Sequence, residues 1–225
     1  MCGRFTLFAS EAEILREYGV DSLQSYEPSY NIAPGQNGLA IIHDGEKKRA
    51  GNLQWGLVPS WAADEKIGYK MINARSETAH EKPSFKNLMA RKRCLIVADS
   101  FYEWKKSDET KRPRRIQLAD RELFTFAGLW DKWQKGNQVL FTYTLLTKDS
   151  NDFMKEIHHR MPIILPKDRE DEWIHPYTQN PRAAYEFLEA IEMEELTAYT
   201  VDRYVNKAIN NDPQCIEPVD DGKVG

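Results

Sequence analysis

LFTFAGLWDKW (Leu123–Trp133), followed after a short polar break by VLFTYTLLT (Val139–Thr147), decides the fold class. Both runs are rich in β-branched and aromatic residues, which suit a pleated, half-buried surface, and both are bounded by turn-forming or charged clusters. GLAIIHD (38–44), LQWGLVP (53–59), CLIVADSFYEW (94–104), RRIQLA (114–119) and MPIILP (161–166) read the same way. Few helices of crossover length separate these runs, so the sheet is predicted to be mainly antiparallel and curled toward a barrel. Helices are predicted at about 11–18, 151–158, 168–173 and 181–190. The first opens on a Ser10–Glu13 capping box and stops at Gly19, and the last two follow Pro166 and Pro181. The expected class is α+β: a single domain over residues 1–225 with a barrel-like core and flanking helices. The acidic, proline-containing NNDPQCIEPVDDGKVG at the end predicts a loose tail over about 211–225.

Of the 225 residues, 41% are hydrophobic, yet no apolar run approaches the roughly 18 residues that span a bilayer. The start also lacks the basic region and apolar stretch of a signal peptide, so the expectation is a cytoplasmic protein with no membrane partner. Cys2, Cys94 and Cys215 are far apart and form no C-x-x-C pair, which argues against a disulfide framework and against a zinc site; no metal and no cofactor are expected. The net charge of −4 conceals an asymmetry: ten Lys/Arg against four Asp/Glu over 86–115, and five against fourteen over 168–225. The basic middle permits a polyanion partner, or is simply a solvated surface.

The chemistry begins at MCGRF. Methionine before a residue as small as cysteine is the usual context for removal of the initiator, and removal exposes the Cys2 α-amine beside its own thiol. With pKa values near ~8 and ~8.5, a useful fraction of each is nucleophilic at neutral pH. An aldehyde is the natural target, because the amine forms an imine and the thiol closes on it as a thiazolidine ring. Four further segments bear polar groups. In KMINARSETAH, Asn73, Arg75 and Glu77 alternate, so an extended segment puts all three on one face, either as a ligand surface or as a polar face with an Arg–Glu pair. Glu103, between Tyr102 and Trp104, is either a desolvated general acid–base or a carboxylate facing solvent. His158 and His159 in EIHHRMPIILP share no face, so one of them is a proton shuttle rather than both a metal pair, unless both lie idle on the surface. YNIAPGQ carries Asn31 on an X-Pro turn, either against a ligand or as an ordinary loop.

Taken in order, MCGRF, YNIAPGQ, WGLVPSW, NARSET, SFYEW and HHRMPIIL resemble the SRAP (SOS response-associated peptidase) family, whose members sense abasic sites in DNA. The resemblance implies that Cys2, freed of Met1, attacks the ring-opened aldehyde of an abasic deoxyribose in single-stranded DNA and leaves a thiazolidine crosslink. It implies that Asn73 orients the terminus and the sugar, that Glu103 transfers protons, and that His158 assists ring opening, with no role for His159. Arg4, Asn31, Arg75 and Thr147 match residues around the DNA backbone, and Trp55 is expected to wedge or stack against bases. The resemblance also implies lyase-like sugar opening and self-removal of a short N-terminal extension, here at most Met1, by a monomer. A peptidase or amidase acting beyond its own terminus through an N-terminal nucleophile is the alternative. A plain nucleic-acid-binding domain using the basic middle is a third reading.

Overall fold

A computed structural model describes residues 2–105, 112–176 and 179–219. Its strands, in chain order, are β1 (Phe5–Leu7), β2 (Ser29–Ile32), β3 (Asn37–His43), β4 (Lys48–Trp55), β5 (Asn73–Arg75), β6 (Arg93–Ala98), β7 (Ser100–Trp104), β8 (Pro113–Leu118), β9 (Phe124–Lys135), β10 (Gln138–Asp149), β11 (Arg160–Pro162), β12 (Ile164–Leu165) and β13 (Leu196–Thr200). The α-helices are α1 (Glu11–Tyr18), α2 (Ser76–Ala79), α3 (Lys86–Arg91), α4 (Asp152–Lys155), α5 (Glu170–Ile174) and α6 (Pro181–Glu189). The expected α+β class with a curled, mainly antiparallel sheet is what forms. Among the described residues, no helix is long and apolar enough to cross a membrane.

The two runs that decided the class are β9 and β10, paired antiparallel from Gln138↔Lys135 to Leu145↔Gly128. From them the sheet closes as a ring, β4–β3–β6–β9–β10, with β10 returning to β4. A closed ring requires an even number of antiparallel steps, so five strands force at least one parallel pairing. That pairing is β10 with β4, through Thr142↔Gln54 and Tyr143↔Trp55. Closure removes the sheet's free edges, and β6, covered on both sides, is buried along its whole length. Phe5, Trp55, Phe126 and Tyr143 fill the adjoining core, with Phe5 edge-on to Trp55 at 5.2 Å between centroids. Gly38 is required there, since a Cβ on it would lie 2.5 Å from the Tyr143 hydroxyl.

A second sheet, β13–β8–β7–β1–β2, holds the start of the chain. The run 94–104, read as one strand, is two: β6 belongs to the ring and β7 to the second sheet. Asp99 makes the corner, its carboxylate accepting from Thr6 Oγ1 and, at 2.6 Å, from the Phe8 backbone N–H. β1 and β7 are thereby tied together at the end away from Cys2 and Glu103.

Helix α1 forms as expected, with both halves of the Ser10–Glu13 box made and Gly19 in the left-handed conformation. Helix α6 starts on Pro181, while the helix expected over 151–158 is only the single turn α4. Residues 211–219, expected to be loose, are instead fixed to the body. Pro213–Ile216 forms a 3-10 turn capped by Asp212, Cys215 is fully buried, and Asn211 Oδ1 accepts the Tyr30 N–H at 2.7 Å. Polarity misled because the apolar content of this segment is small but concentrated on Cys215 and Ile216, which pack against Tyr102 and Val201.

Candidate active site

Cys2 is not at a frayed end; it is fully buried. β1 pairs with β7 through Phe5↔Phe101 and Thr6↔Ser100, and the Tyr102 N–H donates to the Arg4 carbonyl at 2.9 Å. Continuing that register toward the terminus sets Glu103 opposite Gly3, one residue from Cys2 and close enough for its charge to act on the Cys2 thiol. The Cys2 thiol lies 3.7 Å from the Arg4 carbonyl oxygen. On the other side, Asn73 Nδ2 donates to the Cys2 carbonyl at 2.8 Å, while Asn73 Oδ1 is buried with no hydrogen-bond partner among the described residues. Three of the residues expected to act together therefore converge.

Burial sets their electrostatics. It pushes the Cys2 thiol far up, and the charge of Glu103 pushes the same way, so the thiol is held neutral rather than partly ionised. Burial also raises the Glu103 carboxyl, whose side chain is almost wholly covered, against the lowering charge of His159. A carboxyl lifted in this way is suited to giving and taking a proton as a general acid–base.

His158 lies on the connection from β10 to β11. Its Nδ1 is 3.0 Å from the Arg160 backbone nitrogen and 3.1 Å from the Arg160 carbonyl oxygen, so the main chain offers a partner to Nδ1 whether or not it carries a proton. The His159 ring, assigned no role from the sequence, stacks on it at 4.4 Å. Strand β10 unites this segment with Asn73: β5 pairs with it in parallel at Leu145↔Asn73 and Thr147↔Arg75, and β11 pairs antiparallel at Thr147↔Pro162 and Asp149↔Arg160.

The residues matched to DNA contacts divide. Arg75 is exposed at the end of β5. Arg4 is half-buried, with Nη1 donating to Asn31 Oδ1 at 2.7 Å and to the Val205 carbonyl at 2.8 Å. Asn31, only 1% exposed, is no phosphate contact: its Nδ2 donates to the carbonyls of Val205, Lys207 and Asn210, tying down the later loop and steadying Arg4. Thr147 is likewise fully buried, its Oγ1 3.4 Å from the Ala74 carbonyl. Trp55 is 1% exposed, parallel to Tyr143 and donating from Nε1 to the Ile72 carbonyl at 2.8 Å, so it holds the core and cannot stack on a base.

The alternation 73–75–77 also fails at its last member. The strand ends at Arg75 and helix α2 begins at Ser76, so Glu77 turns away and pairs with Arg160 instead. The basic stretch 86–115 does not form one face. The Arg93 guanidinium is buried, donating to the carbonyls of Met89, Ala90, Trp173 and His175, and Arg115 is buried between Ser100 and Tyr199. Lys106 and Lys111 lie outside the described residues.

The two most exposed aromatics among the described residues sit elsewhere, on the segment between Trp55 and Asn73: Trp61 is 63% exposed and Tyr69 71%, with Lys66 and Lys70 also exposed. This segment is built to be rigid. Gly56 (φ +115°) and Gly68 approach so closely that a Cβ on either would lie 2.7 Å from the other's carbonyl oxygen, and Trp133 Nε1 donates to the Ala62 carbonyl at 2.7 Å. The sequence held a signal for Trp61: it sits just after a proline turn, outside the periodic strand that buries Trp55.

A family model described as SOS response associated peptidase (SRAP) matches residues 1–208. The chain is 49% identical over 223 residues to Abasic site processing protein YoqW of Bacillus subtilis (strain 168), covering 96% of this chain and 99% of that one. It is 30% identical over 267 residues to Abasic site processing protein HMCES of Gallus gallus, covering 99% and 79% respectively. A solved structure from Bacteroides thetaiotaomicron superposes with a TM-score of 0.86 at 25% identity, covering 97% of this chain and 100% of the other. One from Bordetella bronchiseptica does so at 0.76 and 28%, covering 89% and 100%.

Proposed function

The chain belongs to the SOS response associated peptidase family, and on that premise we propose that it senses abasic sites in single-stranded DNA and crosslinks to them through Cys2. The observation that carries the proposal is the burial of the chain start between Asn73 and Glu103, which gives an otherwise loose terminus a fixed geometry. The relatives' names, which refer to abasic site processing, support it.

The steps follow from the groups present. With Met1 removed, the Cys2 amine attacks C1′ of the ring-opened sugar, and the carbinolamine loses water to give an imine. The S–H of Cys2 then adds across the C=N bond: sulfur bonds to carbon, the proton ends on nitrogen, and a thiazolidine results with one water as the only by-product. Because burial holds the thiol neutral, its proton needs an acceptor, and the neighbouring Glu103 is that group. Glu103 also returns a proton to the departing hydroxyl. His158 gives or takes the proton as the sugar ring opens, and Asn73 holds the Cys2 carbonyl so that the amine points at C1′. Arg75 carries a phosphate, and Trp61 and Tyr69 stack on flanking bases in place of Trp55. Weak lyase-like opening of the sugar through the imine, and removal of Met1 by the same cysteine, belong to this reading, as does a monomer working in the cytoplasm or at the nucleoid.

The experiment is incubation of the Met1-free protein with a single-stranded oligonucleotide bearing one abasic site, followed by denaturing electrophoresis. A heat-stable slower band that vanishes in Cys2→Ala is expected. Its absence from the wild-type protein overturns the proposal.

A further inference from the structure

Arg160 joins the two halves of this site. It is 5% exposed, and its guanidinium makes a fork-to-fork pair with Glu77, Nη1 to Oε1 at 2.6 Å and Nη2 to Oε2 at 2.9 Å. Nη1 also donates to Asp149 Oδ1 at 2.6 Å, and Nη2 to the Thr147 carbonyl at 2.7 Å. Glu77 lies two residues beyond Arg75 on the first turn of α2, and Thr147 is the residue that Arg75 faces across β10. The guanidinium therefore grips the segment carrying Asn73 and Arg75. The main chain of the same residue grips the other segment, because both its N–H and its carbonyl lie within 3.1 Å of His158 Nδ1.

Stability alone does not call for this arrangement. Replacing a buried ion pair by well-packed apolar groups is often neutral or favourable, whereas a bidentate pair fixes an angle that apolar packing leaves softer. The electrostatics of Glu77 agree: burial pushes its carboxyl up, yet the hydrogen bonding and charge of Arg160, with a backbone hydrogen bond, together outweigh that and leave it below the usual range.

We infer that Arg160 is a positioning residue that fixes His158 relative to the Asn73–Arg75 strand and thereby sets the rate at which the abasic sugar ring opens. The inference rests on the functional reading above and adds to it a residue that touches neither sugar nor phosphate.

A closed sugar needs ring opening before Cys2 can react, and an acyclic aldehyde does not. The test therefore compares two reactions of each protein: crosslinking to an abasic single-stranded oligonucleotide, and thiazolidine formation at Cys2 with propanal, read by intact mass. Arg160→Lys keeps the charge but loses the fork. It is expected to slow crosslinking about 10- to 100-fold, the size of effect that a small misplacement of a reacting group produces. Its propanal reaction stays within about twofold of wild type, and the slowing disappears in a His158→Ala background because the two act as one unit. Should Arg160→Lys lose cooperative melting, Glu77→Gln, which keeps the shape and removes the charge, carries the same expectation. Equal losses in both reactions, or full multiplication with His158→Ala, overturn the positioning role. Wild-type protein that reacts with propanal but not with abasic DNA overturns the functional reading instead.

Discussion

Asn73 Nδ2 holds the Cys2 carbonyl oxygen at 2.8 Å, so the residue expected to orient the reactive terminus is bonded to its main chain rather than to its thiol. That leaves both nucleophiles of Cys2 unencumbered by Asn73. Asn73→Asp cannot donate this bond and adds a charge beside Cys2. Single-turnover crosslinking is expected to fall about 100-fold, with affinity for undamaged single-stranded DNA within about twofold. A matching loss of affinity in a binding titration would mean that Asn73 serves the DNA and not the terminus.

Two tryptophans close in sequence should behave oppositely. Trp55→Ala empties a core position and is expected to cost about 3–5 kcal/mol of folding stability, measured by denaturant unfolding. Trp61→Ala removes an exposed ring and should leave stability nearly unchanged while weakening single-stranded DNA binding by about 1–3 kcal/mol, as should Tyr69→Ala. Weaker DNA binding from a folded Trp55 variant, with none from Trp61→Ala, reverses the assignment.

Glu103 should be costly to the fold and necessary to the chemistry. Burial raises its carboxyl, so its folded-state pKa lies above the unfolded one. The stability it contributes is complete below the unfolded pKa and is lost as pH rises through the folded value. At neutral pH and above, Glu103→Gln is therefore expected to melt higher than wild type while crosslinking about 100- to 10,000-fold more slowly. A lower melting temperature at pH 8 contradicts the electrostatic part of the account.

Asp99 gives the same sign a number. Burial lifts its carboxyl from 3.8 to about 6, despite the hydrogen bonds from Thr6 and Phe8. Stability should decline as pH rises from roughly 4 to 6, and the Asp99 side-chain carbon should titrate near 6 by NMR. A midpoint below the ordinary aspartate value would show that the hydrogen bonds outweigh burial.

Composition and periodicity carried the strands well, because β9 and β10 are long, aromatic and β-branched. They carried the corner at Asp99 poorly, since a short polar step inside CLIVADSFYEW looks like part of one strand until the Asp99 carboxylate is seen to bind Thr6 of β1. At the site, the convergence of Cys2, Asn73 and Glu103 is the part the sequence foreshadows, because their motifs are specific. Trp55, Asn31 and Thr147 are buried where contact with DNA was expected, because a motif shows that a position matters, not whether its side chain faces ligand or core. Glu77 was lost to a boundary, where a strand ended two residues earlier than alternation assumed. Arg160 passed unnoticed because the partners of its guanidinium lie 11 to 83 residues away.

The central claim is that the terminus, not merely a thiol, is the reagent. Intact mass spectrometry of the heated adduct between the protein and an abasic single-stranded oligonucleotide tests it most directly. The account predicts a mass equal to the Met1-free chain plus the oligonucleotide minus one water, and no adduct when Met1 is retained behind an uncleaved extension. An adduct that still contains Met1, or one that forms equally well with Cys2→Ala, contradicts it.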